Sequence, residues 1–421
     1  MAGIRLILVT PHLRANVTSV SRFISIAKQA IGKGHEVVIL NFIYPFKIQR
    51  GLGVVEDKDI KFSDEIEQCI LALKPELNIL QKIIFFLNDT FKVPFWKVAN
   101  LIYQMLFKAD VFKITDAKLL SSLQKRISLD TKNIIVGFGG PFSVLENAFA
   151  IHQAIEGSLL VLDYRDLINF GYPPLQSNLF IHTLKKKYTK RREVYLLQNA
   201  DLITTVSVTL KGLLPGQYHS KIKVFENGAS FDSAKVRPQR ATHFTVLYLG
   251  TLYKEQLIDE TFFEALSSFC ADKFDTVRIL FIGAGRNERF NSLLDKHYLN
   301  DISIITGRLE KDELISYLNN ASVFLHLKYG DRNEIITSKN ADYCLFRKPI
   351  LLPDSDKGDL EDFLLKYDLG YICYSKAEIR DTLSLLYREY MEGKDYGGRS
   401  AYSMTRESIA EKFVAELEQL S

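Results

Sequence analysis

Glu334 and Asp342 stand eight positions apart, with Thr337-Ser338-Lys339 between them. Thr337 or Ser338 is a good N-cap, because a short hydroxyl side chain can accept from an orphan amide of the first turn. The spacing therefore predicts a helix starting there. The chain then runs through Cys344-Leu345-Phe346-Arg347-Lys348 into Pro349-Ile350-Leu351-Leu352-Pro353, which reads as a buried strand. A loop carboxylate, a helix N-terminus and a carboxylate one turn in can hold three parts of one ligand. The positive end of the helix suits a phosphate. The carboxylates can accept hydrogen bonds from sugar hydroxyls. Together these groups have the chemistry of a nucleotide-sugar site.

Further candidates sit at predicted strand ends. Leu249-Gly250-Thr251-Leu252-Tyr253-Lys254 offers a glycine that lets a diphosphate approach the backbone and a lysine to neutralise it. The bland alternative is an ordinary loop with a surface lysine. Gly307-Arg308-Leu309 could present amides and an apolar side chain to a flat base, with Arg308 near phosphate, or it could be a surface turn. Gly283-Ala284-Gly285 lacks the full GxGxxG pattern, so tight packing explains it better. Asp163-Tyr164-Arg165-Asp166 ends an apolar strand in the first half. Asp166 could act as a base on an acceptor hydroxyl, while Asp163 fits an Asp–Arg ion pair that shapes the loop. The eight histidines do not cluster and show no metal-binding spacing. His12, after the first strand, could line a cleft.

The elements that must position these residues follow from periodicity. Residues 4–9 read as a strand, Ser21 to Ile31 as a helix ended by Gly32-Lys33-Gly34, and Val37 to Leu40 as a second strand. That βαβ unit implies a parallel sheet. Strand signals return at 133–137, 159–163, 202–206 and 222–225, then at 245–249, 277–282, 302–305, 323–327 and 349–352. The reading is α/β, with two Rossmann-like domains facing a central cleft. An N-terminal domain spans 1–230, with a helical insertion at about 60–130. A polar linker covers 231–243 and a second domain 244–400. A C-terminal helix, 401–421, is a candidate to pack back on the first domain.

Composition narrows the classes. At 421 residues, two domains are expected. A net charge of +4 argues against a dedicated nucleic-acid binder. Four scattered cysteines without a CxxC pair suggest neither a zinc site nor a disulfide framework, and fit a reducing cytoplasm. Residues 4–9, soon followed by Pro11, read as a strand rather than a signal peptide. Lys185-Lys186-Lys187-Tyr188-Thr189-Lys190-Arg191-Arg192 could meet an anionic membrane surface or be a solvated helix face. The aromatic and lysine-bearing stretch from Ile84 to Lys108, with Trp96, adds to the membrane reading; its alternative is a buried helical hairpin.

These residues resemble the GT-B-fold, retaining glycosyltransferases of the family-4 type along nearly the whole chain. Arg22 and Gly34-His35-Glu36-Val37 look like that family's first βαβ unit. Leu162 to Leu167, Glu193 to Ser207 and Val224-Phe225-Glu226-Asn227-Gly228 are similar to its later first-domain landmarks, and Gly307 and Asn320-Ala321-Ser322-Val323-Phe324 continue the match. Glu334 and Asp342 fall on its paired-glutamate motif. The resemblance implies that Glu334 contacts the transferred sugar. It also implies that the following amides, with Thr337, Ser338 and Lys339, hold sugar and diphosphate, and that Asp342 holds the ribose. Gly250, Lys254, Arg308 and Leu309 would complete the donor side, and His12, Arg22 and Arg165 would face the acceptor. Because the leaving phosphate can assist the incoming hydroxyl, Asp166 is a candidate base but not a required one. No metal or cofactor is expected, only a nucleotide-diphosphate sugar as donor and a saccharide or lipid-linked acceptor. Three departures stand out: Asp342 replaces glutamate, Arg14 to Ser19 contains no glycine, and Thr251 stands where a cation is usual. They motivate a non-catalytic scaffold as the rival reading. A dinucleotide-dependent oxidoreductase is a weaker one, lacking GxGxxG.

Overall fold

Ile4–Thr10 (β1) reads IRLILVT and every residue in it is buried. Such an unbroken run suits a parallel strand covered on both faces. The computed structural model describes residues 3–10, 13, 18–43, 61–91, 102–103, 112–114, 116–127, 130–139, 142–171, 179–285, 287–368, 370–394 and 401–421. The chain divides into two compact units, Met1–Glu226 with Ile409–Ser421, and Asn227–Ser408.

The first unit contains β1, α1 (Thr18–Gly32), β2 (Glu36–Phe42), α2 (Asp64–Gln68), β3 (Ile70–Leu73), α3 (Ile79–Phe91), α4 (Ala117–Arg126), β4 (Lys132–Phe138), α5 (Phe142–Ala154), β5 (Leu159–Tyr164), α6 (Leu179–Asn199), β6 (Leu202–Thr205), α7 (Val208–Leu213) and β7 (Ile222–Val224). Its seven strands run parallel in the order β3-β2-β1-β4-β5-β6-β7. That is the Rossmann order with one strand added, and the order in which the chain lays down strands reverses between β1 and β4. Alternate residues of each strand point to opposite faces. Leu6, Leu8, Val136 and Val161 pack with α1. Ile7, Val9, Ile135 and Leu162 pack with α3, α4, α5 and α6.

The second unit contains β8 (Phe244–Leu249), α8 (Thr261–Cys270), β9 (Val277–Ile282), α9 (Glu288–Lys296), β10 (Ser303–Thr306), α10 (Lys311–Asn319), β11 (Val323–Leu325), α11 (Ser338–Leu345), β12 (Ile350–Leu352), α12 (Asp359–Tyr367), β13 (Gly370–Ile372) and α13 (Lys376–Met391). Its sheet is again parallel, in the order β10-β9-β8-β11-β12-β13. The order of strand succession reverses between β8 and β11. The last helix, α14 (Arg406–Leu420), lies in the first unit from Ile409 onward, where the Phe413 ring is 5.1 Å from Phe225 and Glu418 pairs with Lys33.

Two expectations need correction. The region around 60–130 is not wholly a helical insertion, because β3 within it forms an edge strand of the first sheet. Four residues, of which only Leu73 is buried, are too short a signal for periodicity to find. Residues 231–243 belong to the second unit, and the division falls at Glu226–Asn227. Phe231 is buried with its ring 5.7 Å from Phe346, and the Arg237 amide donates to Asn319 Oδ1 at 2.8 Å. Polarity marked this stretch as a linker, yet two anchors hold it to the unit.

Candidate functional site

In a parallel α/β sheet, ligands bind outside the carboxyl ends of strands where the strand order reverses. In the second unit that point lies between β8 and β11, and the loops after both strands carry the residues picked out from sequence. Tyr343 of α11 ties the two strands together. Its hydroxyl accepts from the Leu249 amide at 2.9 Å, lies 3.3 Å from the Leu325 carbonyl, and its ring stacks on Phe324 at 4.4 Å. Gln256 makes a second tie. Its Oε1 accepts from the Tyr253 amide and its Nε2 donates to the Leu327 carbonyl at 2.8 Å.

Gly250 follows β8 with φ +104°, a conformation that side-chain-bearing residues rarely adopt. A Cβ there would sit 3.3 Å from Lys339 Nζ, so the missing side chain leaves room for the ammonium over the loop. Lys339 donates to the Tyr248 hydroxyl at 3.2 Å and lies 4.7 Å from that ring and 5.9 Å from the Tyr329 ring. It makes no ion pair among the described residues. Burial lowers its pKa from 10.5 to about 8, because aromatic faces recover only part of the hydration an ammonium loses. Gly283 packs its backbone on Gly250, in agreement with the packing reading of Gly283-Ala284-Gly285.

The helix start falls where the hydroxyls predicted it, with Thr337 as N-cap of α11. The hydroxyl does not cap. Thr337 Oγ1 instead donates to Asn340 Oδ1 at 3.2 Å, and the same oxygen lies 2.9 Å from Nε2 of His326. Asn340 and His326 are both buried. Burial, with Lys339 nearby, lowers the His326 pKa to about 3, so the ring is neutral. This arrangement turns the cap hydroxyl aside and leaves the amides of Ser338 and Lys339 without an acceptor among the described residues, at the positive end of the helix.

Glu334 lies in the loop before α11 and is 3% exposed. Arg332 pairs with its Oε1, while Oε2 is buried with no partner among the described residues. The loop is pinned at Asn333, whose carbonyl accepts from the Asp359 amide at 2.9 Å. Gly358 permits that approach, since a Cβ there would fall 2.3 Å from the Asn333 carbonyl oxygen. Asp342, five residues into the helix, is also buried, and its Oδ1 accepts from the Ser230 amide. Burial pushes its pKa up to about 6, against the lowering effect of the Ser230 bond. Lys254 and Arg308 are exposed and make no ion pair among the described residues, and Leu309 is half-buried beside the β11–β12 face.

In the first unit, Arg22 needs correction as an acceptor-facing residue. It is 4% exposed, with Nε and Nη2 donating to Asp163 at 3.2 and 3.3 Å and Nη1 donating to the Glu226 carbonyl at 2.6 Å. Thr204 donates to the same Asp163 at 2.6 Å. A helix arginine can cross to a strand carboxylate only in the folded chain, so spacing could not reveal the pair. Arg165 is half-buried at the end of β5 and Asp166 is exposed beyond it. Glu193, fully buried, holds the following loop by accepting from Asn169 Nδ2 at 2.6 Å, and burial raises its pKa to about 7. His12 and residues 14–17 lie outside the described residues. Among the described residues no group of three or more His, Cys, Asp or Glu side chains could hold a metal ion, and no helix is long and apolar enough to cross a membrane.

No family model matches the chain, and no curated protein matches it. Solved structures do match along its whole length. A glycosyltransferase from Rickettsia africae ESF-5 superposes with a TM-score of 0.61 at 13% identity, covering 99% of this chain and 98% of the other. HepE of Anabaena, crystallised with UDP and glucose, gives 0.60 at 13% identity, covering 99% and 100%. The fold is GT-B. The same architecture carries other chemistry, since the UDP-GlcNAc 2-epimerase of Methanocaldococcus jannaschii gives 0.52 at 12% identity, covering 99% of each chain. Function therefore has to be argued from the site.

Sequence reasoning missed Tyr248, Tyr329, His326 and Asn340. A tyrosine in β8 and a histidine just after β11 look like ordinary strand residues until the fold sets them around Lys339 and Thr337.

Proposed function

We propose that this protein is a glycosyltransferase. It moves a sugar from a nucleotide-diphosphate donor to a saccharide or lipid-linked acceptor, with retention of configuration, in the cytoplasm and in the assembly of bacterial surface polysaccharide. The observation that carries the reading is the unpaired Lys339 ammonium beside Gly250, at the uncapped start of α11. A cation, free amides and an open glycine backbone at a strand-order reversal suit a diphosphate. Glu334, four residues before the helix, then takes a hydroxyl of the transferred sugar, and Asp342 the ribose. Gly250, Lys254, Arg308, Leu309 and the backbone of Thr337 and Ser338 complete the donor side. Lys339 replaces the cation that Thr251 does not supply. The developing charge on the leaving phosphate is met by preorganised donors, and that phosphate assists the acceptor hydroxyl. Asp166 and Arg165 serve the acceptor.

The Anabaena neighbour bound to UDP supports a uridine nucleotide as the first candidate. The Arg332–Glu334 pair favours a second reading, a nucleotide-binding partner protein without turnover, since it already engages one oxygen of the sugar carboxylate. Calorimetry with UDP, GDP, ADP, dTDP and NAD, followed by turnover of the matching nucleotide sugars, separates the readings. Binding of a nucleoside diphosphate with sugar transfer or slow donor hydrolysis is expected. Epimerisation of the donor would assign the epimerase chemistry instead. Binding without turnover would favour the partner protein, and preference for NAD would end the transferase reading. Glu334→Gln should cut turnover by about 100-fold or more with little change in nucleotide affinity, as for a group acting on the reacting sugar. Unchanged turnover would remove Glu334 from the mechanism.

A further inference from the structure

We propose that the outer surface of α3 and α6 in the first unit docks on an anionic lipid bilayer. Helix α3 is apolar on both sides. Its inner side sends Ile84 into the core below the sheet, with Leu80 packed against it. Its outer side leaves Ile79 77% exposed, Ile83 46% and Phe86 68%. These three recur at i, i+4 and i+7 and form one stripe. Asn78 Nδ2 donates to the Tyr103 hydroxyl at 3.1 Å, which brings Ile102, itself exposed, beside the start of that stripe. An exposed apolar stripe of this kind marks a surface that meets a nonpolar partner.

Charge selects the partner. Helix α6 packs on the same face of the sheet through Leu196 and Leu197. It exposes Lys187, Lys190 and Arg191, one turn apart, with Tyr195 a turn further on. Helix α4, also on that face, exposes Lys118, Lys125 and Arg126, and Lys82 stands within the α3 stripe. Among the described residues, the charged side chains exposed on α4 and α6 are all basic, while exposed Glu76 and half-buried Asp116 stand at the start of the α3 stripe. Protein interfaces are depleted in lysine, whereas a bilayer interface takes apolar side chains into the headgroup boundary and lysines at the level of anionic lipid. An apolar stripe beside a predominantly basic rim fits that surface. The inference does not depend on the donor site, so nucleotide binding and vesicle binding can fail separately.

Co-sedimentation of the full chain with vesicles of phosphatidylglycerol and phosphatidylcholine, against phosphatidylcholine alone, tests it. Binding to the anionic vesicles at low salt is expected, and it should fall in about 1 M salt, where charges are screened beyond about 3 Å. Ile79→Ser/Ile83→Ser/Phe86→Ser and Lys187→Glu/Lys190→Glu/Arg191→Glu should each weaken binding by roughly tenfold or more. Circular dichroism and nucleotide affinity like those of the parent would show that both variants fold. Failure to sediment with anionic vesicles at low salt overturns the proposal, as does equal binding by both folded variants. Concentration-dependent self-association that the serine variant abolishes, without vesicle binding, would assign the face to a second copy of the chain and also overturn it.

Discussion

Lys339 keeps a charge where burial opposes one, next to two tyrosine rings and an open glycine loop. A phosphate that restores its counter-charge should bind with charge-assisted strength. Lys339→Met is therefore expected to weaken nucleotide-diphosphate affinity by about 10- to 100-fold, the loss of about 1.5–3 kcal/mol. Calorimetry at neutral pH measures it, and an unchanged affinity would remove Lys339 from the site. Because its pKa is lowered to about 8, parent affinity should decline as pH rises through that value, and the decline should vanish in the variant. Folding holds this pKa below the unfolded value, so the charged lysine costs stability below about pH 8 and the cost fades as pH rises toward 10.5. Asp342 has the opposite sign. Its folded pKa of about 6 lies above the usual 3.8, so it favours the folded state at low pH and loses that contribution as pH rises from about 4 through 6. Urea unfolding of Asp342→Asn across that window should be flatter with pH than the parent, and parallel curves would contradict the buried titration.

At the scale of an element, α11 is built to leave its start open. The cap hydroxyl of Thr337 is drawn to Asn340 Oδ1, and His326, just after β11, steadies the same oxygen. Asn340→Ala releases the hydroxyl to satisfy an amide of its own helix, an exchange of about 1 kcal/mol. Nucleotide affinity should then fall by about fivefold. Adding Thr337→Ala removes the competing hydroxyl and should restore affinity. A single variant that binds like the parent, or a double variant that does not recover, would argue against the open-start device. Anchoring at the other end comes from Tyr343, which fastens α11 to β8 and β11 together. The helix therefore cannot move away from the Gly250 loop without breaking strand-end contacts.

For the whole molecule, each of the four buried apolar clusters falls within a single unit. The Arg22–Asp163 pair belongs to the first unit, and the donor-side residues belong to the second. Arg22→Met leaves a carboxylate buried without its cation, a change that typically costs about 3–5 kcal/mol. The first unit should unfold at a lower denaturant concentration while the second still binds nucleotide under native conditions. Unfolding curves together with calorimetry on the variant measure both. A stability equal to the parent would show that Asp163 finds another partner, and lost binding in folded protein would show that Arg22 acts on the site.

Helix starts, strand runs and the βαβ rhythm were legible in the sequence because they depend on neighbours a few residues apart. Thr337 as the start of α11, the strand before Gly250 and the two-sheet architecture could all be read that way. The edge strand β3 was not, since four partly exposed residues carry too little period-two signal. The Glu334, Lys339 and Gly250 group was visible as residue types, but not as an arrangement. Only the strand order decided that Gly250 and α11 meet at one point, because β8 and β11 pair, Tyr248 beside Leu325, across 76 intervening positions. Only burial decided that Arg22 and Asp163 serve the interior, that His326 and Asn340 serve the helix start, and that Ile79, Ile83 and Phe86 face outward. Local chemistry is written along the chain, whereas charge partnership and exposure are set by contacts between residues that only folding brings together.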